Sequence, residues 1–153
     1  MKLDEMAGHL IRRLHQTSTQ VFAKRIQEAG FDITSVQFAA MDAIIAEPGI
    51  DQASIATKIA YDRATIGGVI DRLEQKGYVE RSVSKRDRRA REVRPTKNGL
   101  KVYNEIVPIV TQLQGDILLG LNEAERATFL HLAQKVIGLV SDPAGPGTEV
   151  PTS

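Results

Sequence analysis

Arginine is the side chain through which this sequence can do most of its chemistry, and its arginines are unevenly placed. Between Glu80 and Lys101 stand nine basic residues, Arg81, Lys85, Arg86, Arg88, Arg89, Arg91, Arg94, Lys97 and Lys101, against Glu80, Asp87 and Glu92. That block has a formal charge of +6 in a chain of 153 residues with net charge +1, which leaves the remainder acidic at −5. A basic patch on an acidic body points to a polyanion met at one place. Composition alone leaves a solvated surface loop as the plainer description.

Other chemistries find little support. The sequence has no cysteine, which removes disulfides, thiolate metal sites and thiol switches. His9 and His15 are six residues apart and miss the spacing of three or four that puts two ligands on one helical face, so no metal or other cofactor is expected. No nucleophile with its base, metal cluster or phosphate-binding glycine loop appears at a workable spacing, which argues against an enzyme. Arg12, Arg13, Lys24 and Arg25 interrupt the N-terminal apolar pattern and no later run reaches spanning length. A soluble, cytoplasmic protein with no membrane partner is the expectation. The length suits one domain with a real core.

The elements that must position the arginines follow from periodicity. Leu10, Leu14, Val21, Phe22 and Ile26 recur at helical spacing between Leu3 and Ala29, and Gly30 closes this first helix. Thr34 with Gln37 forms a capping box for a second helix that buries Val36, Phe38, Met41, Ile44 and Ile45 and stops at Pro48-Gly49. Asp51 caps a short third helix with Ile55, Ala56 and Ile59 inward. After a turn at Ala60-Tyr61, Asp62 caps a fourth that buries Ile66, Val69, Ile70 and Leu73 and ends at Gly77. Tyr78–Val83 alternates at period two, Arg91–Arg94 does so more weakly, and the charged stretch from Ser84 to Ala90 makes a hairpin tip. Helix, turn, helix and basic hairpin outline a winged helix-turn-helix.

Thr96 opens a long helix running through Ile117 and Leu121, with a kink expected at Pro108. Asn122 with Glu125 caps a last helix whose Phe129, Leu132, Val136, Ile137 and Val140 are expected inward. The tail 142–153, rich in Pro, Gly, Thr and Ser, is expected to be disordered.

Such a module, from Asp51 to Lys97, reads duplex DNA. The helix opening at Asp62 exposes Arg63, Ala64, Thr65, Gly67 and Gly68, where a recognition helix meets base edges. The Arg63 guanidinium can bond a guanine through two donors, and Thr65 can meet a base methyl or a phosphate. The adjacent glycines each cost roughly 1 kcal/mol against alanine, so a surface must approach closely there, either DNA or the neighbouring helix. Arg86, Arg88 and Arg89 suit the negative potential of a narrow minor groove. Asp87, which phosphates would repel, is expected to hold a neighbouring arginine through a charge-assisted hydrogen bond. Ser54, Thr57, Lys58 and Arg72 are placed to bond phosphates.

The stretch from Asp51 to Gly99 resembles the multiple-antibiotic-resistance regulator (MarR) family. The resemblance rests on Gln52–Ala60, on Ala64–Gly77, on Asp87–Val93 and on the run Thr96-Lys97-Asn98-Gly99. It departs at Pro95, where leucine is usual, which leaves the end of the last strand open. The resemblance extends over nearly the whole chain and implies a mainly α (α+β) fold, with a winged helix-turn-helix at 34–97 and long N- and C-terminal dimerisation helices at 1–30 and 100–141. These make a single domain, 1–141. It further implies a homodimeric transcriptional repressor on a pseudo-palindromic operator in double-stranded DNA, released by a small aromatic carboxylate or its thioester.

The effector is expected among the first, second and fifth helices. There His9, Arg12, Arg13 and His15 offer donors to a carboxylate, while Phe38, Met41 and Tyr103 form apolar walls. Arg12 and His15 read equally as surface or dimer-interface residues, and Phe38 and Met41 as plain core. The competing function is a winged-helix protein-interaction module without ligand control, against which the arginine-rich tip argues.

Overall fold

The computed structural model describes residues 1–141. The tail 142–153, expected to be disordered, lies outside the described residues. Met1–Ile117 forms one compact unit, and the chain from Leu118 onward a second.

In the first unit a 3-10 turn at Leu3–Glu5 precedes α1 (Ala7–Glu28). Gly30 takes the left-handed conformation, φ +85°, that ends a helix without a Cβ penalty. The capping box at Thr34 is formed in both directions, Gln37 N–H to Thr34 Oγ1 and Thr34 N–H to Gln37 Oε1, and it opens α2 (Ser35–Ala46). A two-residue strand that the sequence reading missed, β1 (Ile50–Asp51), leads into α3 (Gln52–Lys58). Its cap is Asp51, whose Oδ1 accepts the Ser54 N–H at 2.8 Å. The turn after α3 passes through Ala60 at φ +55°, the one left-handed residue among those described that is not glycine.

Next comes α4 (Ile66–Gln75), then the hairpin of β2 (Val79–Val83) and β3 (Arg91–Pro95). The sheet is antiparallel in the order β1-β3-β2, with Ile50 opposite Val93 and Arg81 also opposite Val93. Pro95 ends β3 opposite Val79. The Val93 carbonyl, which accepts the Gly49 N–H, faces β1, and two residues on Pro95 faces the same side. There β1 has already ended, so the missing N–H leaves no acceptor unpaired.

The last helix of this unit, α5 (Lys97–Ile117), starts at Thr96, whose Oγ1 accepts the Gly99 N–H. It continues through Pro108, so the expected kink does not divide it, but it stops four residues short of Leu121. The core lies where these elements converge: Phe22 and Ile26 of α1, Met41 and Ile44 of α2, Ile55 of α3, Ile70 and Leu73 of α4, Val93 of β3, and Ile106 and Leu113 of α5.

The second unit contains α6 (Glu123–Val136), opened by the expected capping box of Asn122 with Glu125. Its apolar residues do not face inward as the pattern led one to expect. No residue of α6 is buried, and Val136 and Ile137 are 80% and 70% exposed. An apolar stripe marks a face that needs cover, and the described residues of this unit do not supply it. Among the described residues no helix is long and apolar enough to cross a membrane.

The junction of wing and α5 is the tightest point of the fold. Tyr78 O accepts the Thr96 N–H at 3.0 Å, and a Cβ built on Gly99 would lie only 2.0 Å from that same carbonyl oxygen. Gly99→Ala therefore drives a methyl into backbone. It is expected to cost at least the roughly 1–3 kcal/mol of an overpacked core, seen as a lower urea midpoint at unchanged slope.

Candidate nucleic-acid interface

Three short segments build one exposed face. The first is α3, on which Ser54, Thr57 and Lys58 are all exposed. Ser54 Oγ donates to Asp51 Oδ2 at 2.8 Å, and Thr57 Oγ1 donates to Ala53 O at 3.2 Å. Both hydroxyls therefore have to rotate before either can donate to a phosphate. The Asp51 carboxyl is held below its ordinary value, chiefly by the Ser54 N–H.

The second segment is the approach to α4, and here the sequence reading needs correction. The helix begins at Ile66, four residues after Asp62, and Arg63, Ala64 and Thr65 form a turn ahead of it. Asp62 Oδ1 accepts the Ala64 N–H, two residues on, as in an Asx-turn, while its carbonyl accepts from Thr65 and Ile66. With glycines as the next two residues, the regular helix has little reason to start sooner. All three turn residues are exposed, as is Arg72 on the helix proper.

Neither glycine is required by packing. A Cβ on Gly68 would meet nothing within 4 Å, and one on Gly67 would meet only Gln52 Nε2 at an ordinary 3.7 Å. The neighbouring-helix explanation of this pair fails for that reason.

The third segment is the hairpin tip. Ser84 is buried, and its Oγ accepts the N–H groups of Arg86 and Asp87 at 3.2 and 3.3 Å. Asp87 Oδ1 accepts the Arg89 N–H at 3.0 Å, so it orders the turn through backbone and not by gripping a guanidinium as expected. Arg86, Arg88 and Arg89 are left exposed, with no carboxylate of the described residues within ion-pair distance.

Arg63 joins the three segments. It lines a cleft of about 520 Å³ with Gln52, Asp87, Arg89 and Arg91, and a second of about 320 Å³ with Ser54, Thr57 and Lys58. Arg86, Arg88, Arg72, Ala64, Thr65 and the two glycines line neither cleft.

Sequence reading gave no role to the ion-pair cluster behind this face. Arg81, its side chain 17% exposed, donates through Nη1 to Gln52 Oε1 at 3.0 Å and through Nη2 to both Asp71 and Glu74. The Arg81 N–H also donates to Glu74 Oε2 at 3.2 Å. This arginine holds the Glu74 carboxyl below its ordinary range. Asp71 and Glu74, three apart on one helical face, were the available signal.

The expected effector residues separate into two groups. His9, Arg12, Arg13 and His15 line an open cavity of about 700 Å³ on α1 with Gln16 and Thr19, and Arg12 Nη2 lies 3.1 Å from His9 Nδ1. Phe38, Met41 and Tyr103 are absent from its wall. Met41 is fully buried core. Phe38 stacks on Tyr103 at 5.4 Å between centroids, and the Tyr103 hydroxyl donates to Asp42, which pushes its pKa up to about 12. A second, more apolar cavity of about 590 Å³ runs on along α1 from Thr19 past Phe22 to Phe31 and Ser35. Among the described residues no group of three or more His, Cys, Asp and Glu side chains is arranged to hold a metal.

Residues 33–90 match the MarR family. The HTH-type transcriptional repressor NicR of Pseudomonas putida is 32% identical over 133 residues, covering 87% of this chain and 83% of NicR. Among solved structures, BpsR of Bordetella bronchiseptica, whose DNA binding is regulated by 6-hydroxynicotinic acid, is similar with a TM-score of 0.81 at 30% identity, over 90% of this chain and 96% of that one. A mutant MarR from Escherichia coli complexed with operator DNA is similar with a TM-score of 0.76 at 26% identity, over 85% and 92%.

The open space at Gly68 sets stability against binding. Gly68→Ala is expected to stabilise the folded chain by roughly 0.5–1 kcal/mol through helix propensity while weakening duplex binding where the backbone approaches DNA. Melting temperature and DNA titration on the same sample check it, and a stabilised variant with unchanged affinity argues against close approach.

Proposed function

This chain belongs to the MarR family of transcriptional regulators, and from that premise we propose that it grips a pseudo-palindromic operator as a homodimer and releases it on binding a small aromatic carboxylate. The observation that carries the DNA reading is the position of Arg63, shared by a cleft reaching the hairpin and a cleft reaching α3. In the major groove Arg63 takes a guanine edge, Thr65 meets a base methyl or phosphate, and Ala64, Gly67 and Gly68 let the backbone come close. Ser54, Thr57, Lys58 and Arg72 bond phosphates and set register. Arg86, Arg88 and Arg89, which have no carboxylate partner among the described residues, enter the minor groove on a turn ordered by Asp87.

Two unpartnered apolar surfaces support the dimer. Leu10, Ile11 and Leu14 on α1 are 43%, 59% and 40% exposed, and the second unit leaves Leu130, Leu132 and Val136 at 52%, 52% and 80%. A second copy covers such stripes at low cost, with 1–30 and 100–141 as dimerisation helices and 34–97 as the DNA head. The regulator acts in the cytoplasm, and the reading assigns it no catalytic step.

For the effector, the cationic cavity of His9, Arg12, Arg13 and His15 offers carboxylate donors, and the apolar cavity continuing beyond Thr19 offers a wall for a ring. By analogy with BpsR, whose DNA binding is regulated by 6-hydroxynicotinic acid, such an acid, or its thioester, is the effector that relieves repression in this proposal.

Binding-site selection from a randomised duplex library tests the DNA roles. Half-sites should recur about 10 base pairs apart. Arg63→Ala should lose about 1–3 kcal/mol of discrimination at one base position, whereas Arg88→Ala should weaken all duplexes alike and reduce the salt slope by about one. Wild-type behaviour of both variants would reject the assignment.

A panel of 6-hydroxynicotinic acid, hydroxybenzoates and aromatic acyl thioesters tests the effector. An active compound should raise the melting temperature and release the selected duplex, and Arg12→Ala combined with Arg13→Ala should abolish both effects. A panel without effect removes the aromatic-acid reading and leaves the DNA roles untouched.

A further inference from the structure

Arg81 belongs to the basic block by composition but not by behaviour. The register that sets it opposite Val93 turns its side chain away from solvent, and three acceptors on two helices meet it there: Gln52 of α3, and Asp71 and Glu74 of α4. Two carboxylates against one guanidinium leave no positive charge over for a phosphate. Gln52 extends the contact, because its Oε1 accepts from Arg81 while its Nε2 lies over Gly67 in the first turn of α4.

We propose that Arg81 is a positioning residue for DNA reading: it fixes the wing against α4 and α3 so that hairpin and recognition helix meet one duplex at a set separation, and it does not touch the duplex. The proposal rests on the reading of α4 and the wing as the DNA-reading head. Leverage explains why the clamp matters. Strand β2 continues two residues beyond Arg81 to Val83, about 7 Å at roughly 3.3 Å per residue, and the tip arginines lie farther out still, so a tilt at the clamp is magnified where the wing meets a groove. A planar fork suits three acceptors in a way a lysine ammonium cannot.

The probes are a duplex selected by the wild-type protein from a randomised library and an unrelated duplex of equal length, titrated over a salt series with melting curves as the check on folding. Arg81→Ala should lower the preference for the selected duplex by about tenfold and leave the slope of log K against log salt unchanged. Arg81→Lys should not restore the preference. A folded Arg81→Ala protein with undiminished preference would overturn the proposal, and so would a slope reduced by about one, which marks a phosphate contact.

Should Arg81→Ala fail to fold, the double variant Asp71→Asn, Glu74→Gln keeps the arginine and adds net positive charge. The clamp then requires preference to fall while affinity for the unrelated duplex rises, and an undiminished preference overturns it. A wild-type protein that selects no duplex rejects the DNA-reading head itself, a result distinct from any of these.

Discussion

Strand register is the constraint on which the reading head hangs. Val93, fully buried, pairs on one side with Ile50 and on the other with Arg81, so a single residue links β1 and both arms of the hairpin. Because side chains alternate along a strand, a slip of one residue would turn Val93 to solvent and take Arg81 from its carboxylates. The same pairing sets Asp51 opposite Glu92, and Asp51 is also the cap of α3. One ladder therefore orients α3, the wing and the Arg81 ion-pair cluster together.

Charge is then distributed by partner and not by residue type. Arg81 and Arg94 have carboxylates in reach, and the Arg94 contact with Glu92 is a looser 3.7 Å. The arginines at 86, 88 and 89 have none among the described residues. The usable surplus is thus at the tip and around Arg63, while the body behind it is acidic. A field shaped in this way orients an approaching polyanion before any contact forms.

Most signals written locally were legible in the sequence, although Asp62, read as the cap of the fourth helix, caps a turn ahead of it. The capping pairs Thr34 with Gln37 and Asn122 with Glu125, and the cap at Asp51, each depend on residues three apart, and all are formed. What depended on distant partners was not legible. Arg81 finds its acceptors seven, ten and twenty-nine residues away, and although Asp71 and Glu74 share a helical face, no periodicity joins that pair or Gln52 to Arg81. Strand β1 is two residues long, too short to show alternation. The stripes of α1 and α6 were visible as apolar, but periodicity identifies a face and not what covers it. Phe38, Met41 and Tyr103 failed as cavity walls for a related reason: an apolar residue beside a pocket and one in the core have the same pattern.

The junction of Tyr78, Thr96 and Gly99 has a mechanical meaning. Two hydrogen bonds, Thr96 N–H to Tyr78 O and Thr96 Oγ1 to Gly77 O, together with a backbone approach that excludes any side chain at Gly99, weld the foot of the wing to the first turn of α5. Helix α5 has 21 residues, a rod of about 31 Å at 1.5 Å per residue. A swing of about 5° at its far end is a displacement of roughly 3 Å there. Contacts this close tie the foot of the wing to the rod, so the direction of α5 and the direction in which the hairpin stands are set together.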